Sequence, residues 1–265
     1  MFTLSNMRFN GGASLTWSKL ERILSGNDVG PVVPVDHLTF AGEAEGEGVG
    51  GRRGGVPFAE LHAVSSYSFL GGASEPEQLV ARARSLGLSA LGLCDRDGFY
   101  GAVKFAEAAA AAAMPTVFGA ELTLKEGVLP VLARGAEGYR RLSHLMSRAH
   151  MEGRQKGELS YPPMWEIGEW LDGSCLALGG WEWTPLFDKL SESFGVENVV
   201  REYVVSLMPD DADHHQQLDR FVHLPAIVST RPAAATRRHA RLAAAKHALG
   251  QRRALRQDVA DLHPM

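Results

Sequence analysis

The sequence predicts an α/β fold built on a parallel sheet with crossover helices, and three observations predict it. Short apolar runs alternate with helical patterns over most of the chain after Val56. Acidic and hydroxyl residues follow several of those runs: Asp95 and Asp97, Glu121 late in its own run, Ser229 and Thr230. Finally, 265 residues with a 45% hydrophobic share are enough to bury a substantial core. In barrels of this class the carboxyl ends of the strands carry the chemistry, so the pattern points to a site at one rim.

The elements follow in order. Residues 1–55 stand apart as a leader and linker. Leu15, Leu20, Ile23 and Leu24 fall near one helical face, and the Gly- and acid-rich stretch from Ala41 to Gly55 has too little apolar content to pack. Ala59 to Val64 is a strand, and Pro76 to Ser85 a helix with Ser74 as its N-cap. Ala90 to Cys94 is a buried strand ending at Asp95. Next comes an Ala-rich helix from Ala102 to Ala113, closed by Met114-Pro115. Strands are expected at Thr116 to Leu124 and Leu129 to Ala133. The helix from Gly138 to His150 places Tyr139, Leu142, Leu145 and Met146 on the face that docks on the sheet, leaving His144 and His150 exposed. Ser174 to Leu178, Val199 to Leu207 and Ala226 to Thr230 read as further strands, and the last helix as Ala235 to Gln251. The domain is expected to span 56–256, with 257–265 as a tail.

Composition narrows the function classes. A net charge of -4 makes the whole molecule no polyanion binder, so any nucleic-acid contact must come from a local basic face. The two cysteines, Cys94 and Cys175, form no CxxC pair, which argues against a zinc ribbon or a disulfide scaffold and fits a reducing cytosol. No stretch approaches the ~20 apolar residues of a membrane span, and no apolar run follows an N-terminal basic cluster. The expectation is a cytoplasmic protein.

Three segments carry a resemblance to a known family: Ala59-Glu-Leu-His-Ala-Val-Ser-Ser-Tyr-Ser-Phe-Leu-Gly-Gly-Ala-Ser74, Gly92-Leu-Cys-Asp-Arg-Asp-Gly-Phe-Tyr-Gly-Ala-Val-Lys-Phe-Ala106 and Thr116-Val-Phe-Gly-Ala-Glu-Leu-Thr-Leu124. Together they resemble the opening of the PHP (polymerase and histidinol phosphatase) domain at the front of bacterial error-prone, C-family DNA polymerases. Val131 to Leu142 and Thr236 to Ala245 are similar to the same subfamily, and Thr16 to Leu24 resembles the leader of its actinobacterial members. The match spans most of 57–255 and is loosest over 155–225.

The resemblance implies a distorted (β/α)7 barrel. It also implies a rim site in which His, Asp and Glu side chains hold two or three cations that polarise a phosphoester. Against that pattern this chain departs at several positions. The His-x-His motif is His62-Ala-Val64, and Leu-Asp-Gly-Ala is Leu70-Gly-Gly-Ala73. Asp-His-Asp-Gly is Asp95-Arg96-Asp97-Gly98, and the closing Asn/Asp-x-His element is replaced by Arg231-Pro-Ala-Ala-Ala235. His62, Asp95, Asp97 and Glu121 remain as candidate ligands. Arg96 is expected to act as an internal counterion, paired with Asp95 or Glu121. No cofactor is expected; the alternative is Zn2+ or Mn2+ at a partial site.

The implied role is a non-catalytic module that packs on a polymerase body in cis and serves damage-tolerant synthesis, with DNA and replisome or translesion proteins as further partners and no membrane. A chain ending at Met265 lacks the polymerase regions and is expected not to extend DNA by itself. The alternative within the enzyme class is a metal-dependent phosphoesterase or 3′-5′ exonuclease. A third reading is a binding module using Arg237, Arg238, Arg241, Lys246, Arg252 and Arg253, a basic stripe that suits a DNA backbone, an acidic partner or plain solvation. Cys94 reads as core filler, and His214-His215 as part of a solvated loop. Trp165, Trp170, Trp181 and Trp183 read as core or domain contacts.

Overall fold

The computed structural model describes residues 57–153 and 157–254. The expected amphipathic leader, the linker before Val56 and the tail after 256 lie outside those residues. Seven strands form one sheet in chain order: β1 (Ala59–Ala63), β2 (Ala90–Arg96), β3 (Thr116–Thr123), β4 (Val128–Ala133), β5 (Cys175–Gly179), β6 (Val199–Val204) and β7 (Ala226–Ser229). The helices among the described residues are α1 (Pro76–Leu86), α2 (Ala102–Ala111), α3 (Gly135–Glu152), α4 (Met164–Leu171), α5 (Phe187–Phe194), α6 (Asp211–Leu218) and α7 (Arg237–Gly250).

The last strand returns beside the first. The Thr230 amide and hydroxyl both donate to Glu60 Oε2, at 2.7 and 2.8 Å, and the Val64 amide donates to the Pro232 carbonyl at 3.0 Å. The result is the expected distorted seven-stranded α/β barrel, stitched at its seam by side chains and loop backbone.

The sheet corrects one expectation. It is parallel across β1-β2-β3 and β5-β6-β7, but β4 runs antiparallel to both neighbours. Leu124 and Gly127, which exchange backbone hydrogen bonds between β3 and β4, close a turn far too short for a crossover helix.

Other boundaries also move. Glu75, not Ser74, stands at the N-cap of α1, and its amide donates to Gln78 Oε1 at 3.0 Å. The Ser74 hydroxyl is spent instead on the Ala235 amide and His239 Nδ1, both at 2.8 Å, which tie α7 to the loop after β1. Residues expected as a solvated loop around His214 and His215 form α6. There His214 stacks on Trp181 with ring centroids 4.0 Å apart, and His215 Nε2 lies 2.8 Å from the Val204 carbonyl, to which it donates. Of the four tryptophans expected in a core or a domain contact, Trp183 is buried in the core, while Trp165, Trp170 and Trp181 are exposed.

The core lies in two layers. Between sheet and helices, Leu122, Leu129, Val131, Leu142, Leu145, Ile167, Leu171 and Phe187 pack together. The predicted α3 face holds for Leu142, Leu145 and Met146, while Tyr139 is half-buried and stacks on Phe99. On the opposite face, Cys94, Leu132, Leu178 and Val200 form a small cluster. Side chains alternate along a strand, so Cys94 shares its face with Arg96, and Val200 with Glu202. That apolar cluster is therefore the floor beneath the rim residues. Cys94 is core filler as expected: burial first, and then the nearby Glu121 and Glu202 carboxylates, push its thiol well above the ordinary range.

The loop after β1 positions the site. A Cβ at Gly72 would lie 2.1 Å from the Ser65 carbonyl oxygen, so no other residue lets this loop fold so closely on itself. The fold brings Ser65 and Ser68 over the end of β2.

Candidate functional site

β1 supplies Glu60 and His62, β2 Arg96, β3 Glu121, β6 Glu202, and the loop after β7 Arg231. His62, Arg96, Glu121, Glu202 and Arg231 make one continuous chain of side-chain contacts that Glu182 extends, and Glu60 meets it only through the His62 amide. His62 Nε2 lies 3.0 Å from Glu121 Oε1, and His62 Nδ1 lies 2.8 Å from Glu202 Oε1. The second oxygen of each carboxylate takes a guanidinium. Arg96 Nε donates to Glu121 Oε2 at 2.7 Å, and Arg231 donates to Glu202 Oε2 through Nε at 3.0 Å and Nη2 at 2.6 Å. Arg231 Nη1 then reaches Glu182 at 2.7 Å. Glu60 orients β1: it accepts from the His62 amide at 2.9 Å with Oε1 and from Thr230 with Oε2.

The proton count follows from this geometry. An ionised carboxylate only accepts, so two carboxylates facing the two ring nitrogens require both nitrogens to carry protons. His62 is thus an imidazolium. Burial alone disfavours that charge, but the charge of Glu202 and the hydrogen bonds to Glu121 and Glu202 outweigh it and hold the ring up at about 9. Burial likewise opposes ionisation of Glu121, and His62 and Arg96 overcome it, bringing the carboxyl down to about 2. Glu202, with no solvent exposure, is also held well below the ordinary range by His62 and Arg231 despite its burial. Three cations (Arg96, His62, Arg231) alternate with three carboxylates (Glu121, Glu202, Glu182), so the chain is neutral.

A pH dependence follows. The folded state binds the His62 proton more tightly than the ordinary 6.5, so the stability from this group is complete below about 6.5 and lost as pH rises through about 9. Glu121 is depressed from 4.5, so its share is complete above about 4.5 and lost as pH falls towards 2. Denaturant unfolding is expected to show the network's largest contribution between roughly pH 4.5 and 6.5. A His62→Leu variant should flatten the alkaline limb, and an unchanged limb would contradict the assignment.

The structure brings together only some of the residues expected at the site. His62, Glu121 and Arg96 meet, and Arg96 pairs with Glu121 rather than Asp95. Consecutive strand residues point to opposite faces, which sends the Asp95 carboxylate away from Arg96. Asp95 is caged by the Ser65 amide and hydroxyl and the Ser68 hydroxyl at 2.8–2.9 Å. The Asp97 carboxylate accepts from the Thr123 amide and hydroxyl and from Tyr161 at 2.6–2.9 Å, on a residue with φ of 52°. Neither carboxylate bonds to His62 or Glu121.

Glu60, Glu202 and Glu182 were not anticipated, nor was Arg231 as the second guanidinium. The available signal was an acidic residue within an otherwise strand-forming run, Ala59-Glu-Leu-His62 and Val199-Val-Arg-Glu-Tyr-Val204. On α7, Arg237, Arg238 and Arg241 are exposed, as are Arg252 and Arg253 beyond its end. Lys246 instead donates to the Gly72 carbonyl at 2.9 Å. The expected basic stripe is therefore present without Lys246.

This donor set does not fit a metal cluster. Both nitrogens of His62 face carboxylates, every carboxylate oxygen of Glu121 and Glu202 has a cationic donor, and Val64 offers an aliphatic group. Among the described residues no three His, Cys, Asp or Glu side chains are grouped as they would be around one ion. Among the same residues, no helix is long and apolar enough to cross a membrane.

The family profile of the PHP domain matches residues 60–176. An error-prone DNA polymerase of Corynebacterium efficiens is 49% identical over 273 residues, covering 96% of this chain and 25% of the relative. One from Mycobacterium tuberculosis is 45% identical over 170 residues, covering 55% of this chain and 15% of its own length. The chain thus spans about a quarter of the length of the first of these. Among solved structures, a predicted metal-dependent phosphoesterase from Bifidobacterium adolescentis aligns with a TM-score of 0.50 and 12% identity, over 68% of this chain and 88% of that one. That likeness concerns the fold alone.

Proposed function

The chain belongs to the PHP domain family in the form carried by error-prone DNA polymerases, and on that premise we propose that it is a structural, non-catalytic module of a longer polymerase. One observation carries this reading. The imidazolium of His62 joins Glu121 to Glu202, and two guanidiniums occupy the remaining oxygens, so the rim is cross-linked by organic cations where a hydrolase needs open ligand positions.

A network of this kind links four strands, β1, β3, β6 and the end of β2, to the loop after β7. It gives the barrel rim one fixed arrangement, which is what a domain needs if it is to serve as a scaffold for the rest of a polymerase. The damage-tolerant synthesis implied by the family, and contacts with DNA or with translesion proteins, would then be properties of the longer protein.

The test is metal stoichiometry by elemental analysis after dialysis against Zn2+ and Mn2+, coupled to a phosphoesterase assay with Mn2+. The reading predicts well under one tightly held ion per chain and no metal-dependent turnover above buffer. Two or more ions per chain, with turnover abolished by His62→Ala, would replace it with a phosphoesterase or exonuclease.

A further inference from the structure

We propose that the seam between β1 and β7 is a docking groove for a short peptide segment of a partner protein, one that presents apolar side chains together with carboxylates. β1 and β7 share no strand ladder, and the helices on either side, α1 and α7, leave a cleft of about 490 Å³ over the seam. That volume lies within the ~300–1,000 Å³ typical of ligand clefts. Leu86 of α1, Leu88 after it, Phe58 and Ala240 of α7 give it apolar walls, over a floor of the buried Leu79, Ala83 and Leu91. Leu86 is largely exposed, so the apolar surface continues out of the cleft.

The charges select the occupant. Arg82 of α1 and Arg237 of α7 stand at the two sides, both exposed. Neither guanidinium has a carboxylate partner among the described residues. The one acid in the lining, Glu60, is buried with its oxygens bound to Thr230 and the His62 amide, so it takes no part in recognition. Two guanidiniums without a carboxylate partner among the described residues, flanking an apolar trough, suit a segment whose leucine-like side chains fill the trough and whose carboxylates take the arginines bidentately. A nucleic-acid backbone would satisfy the arginines but leave the apolar walls wet, so the trough favours the peptide.

Fluorescence anisotropy with the full chain tests this. The probe is a labelled hexapeptide of four leucines and two glutamates, compared with a lysine-for-glutamate version, a serine-for-leucine version and a labelled single-stranded DNA. The leucine-glutamate peptide is expected to bind at least about tenfold more tightly than the other three. Ala240→Trp, which fills the cleft, is expected to weaken it by a similar factor. The double variant Arg82→Glu/Arg237→Glu should reverse the preference towards the lysine peptide, and it carries the test if Ala240→Trp does not fold. No binding of the leucine-glutamate peptide, equal affinity for all probes, or DNA binding best and insensitive to Ala240→Trp would each overturn the proposal.

Discussion

Substituting leucine for His62 is expected to lower folding stability by about 3–5 kcal/mol at neutral pH, the range seen when one member of a buried charge cluster is removed. Glu121 and Glu202 would then share two guanidiniums with Glu182 and leave one negative charge uncompensated in a site where His62 is 1% exposed and Glu202 fully buried. For a domain of this size the loss corresponds to a fall in melting temperature on the order of 10 °C. Two features separate this from a simple packing defect. The variant should recover part of the loss as pH is lowered, because a protonated carboxyl removes the excess charge. Adding Glu202→Gln to His62→Leu should also restore stability rather than lower it further. A thermal melt in which the double variant is additively worse would contradict the charge account.

The second large effect is expected at Arg231. Its guanidinium binds Glu202 through two nitrogens and Glu182 through a third. Removing it in Arg231→Met leaves Glu202 with His62 alone, and again about 3–5 kcal/mol is expected to be lost. Arg231→Lys should recover only part of this, since one ammonium cannot reproduce a planar fork serving two carboxylates. Arg96 provides the contrast. Its side chain is 42% exposed, so water can replace it at Glu121, and Arg96→Met is expected to cost about 1 kcal/mol or less. Denaturant unfolding of the three variants should rank Arg231→Met far below Arg96→Met; equal losses would mean that burial does not govern the network.

Much of the fold was legible because apolar periodicity and polar punctuation agree. β1, β2 and β3 each read as a short strand-forming run, and each lies within a residue or two of its expected place. The direction of β4 was not legible from its own residues. Val128–Ala133 has the composition of any buried strand, and only the brevity of the turn at Leu124–Gly127 reverses it. α6 was hidden for a different reason. Asp211-Ala-Asp-His-His-Gln-Gln-Leu218 lacks an apolar stripe, and the helix is held by tertiary partners that no local pattern reveals. These are the Trp181 ring, the Val204 carbonyl and Ser206, whose amide and hydroxyl bond the Asp211 carboxylate.

At the site, His62, Glu121 and Arg96 meet, Asp95 and Asp97 do not join them, and the partner of the second ring nitrogen was not legible. His62 and Glu202 are 140 positions apart, and only barrel closure places them together. Val64, Arg96 and Arg231, none of them able to serve as a metal ligand, were visible in the sequence. That these residues leave a neutral, alternating chain of charges required coordinates. The expectation of an internal counterion at Arg96 captured one third of that arrangement; His62 itself and Arg231 supply the rest.

The most direct test is the ring nitrogen NMR spectrum of His62 in the intact chain, followed across pH and with added Zn2+. If His62 is the cation that holds the rim carboxylates, both ring nitrogens carry protons at pH 7.5, the ring titrates near 9, and Zn2+ leaves its signals in place. A neutral ring with one bare nitrogen at that pH, or ring signals displaced by stoichiometric Zn2+, would contradict it.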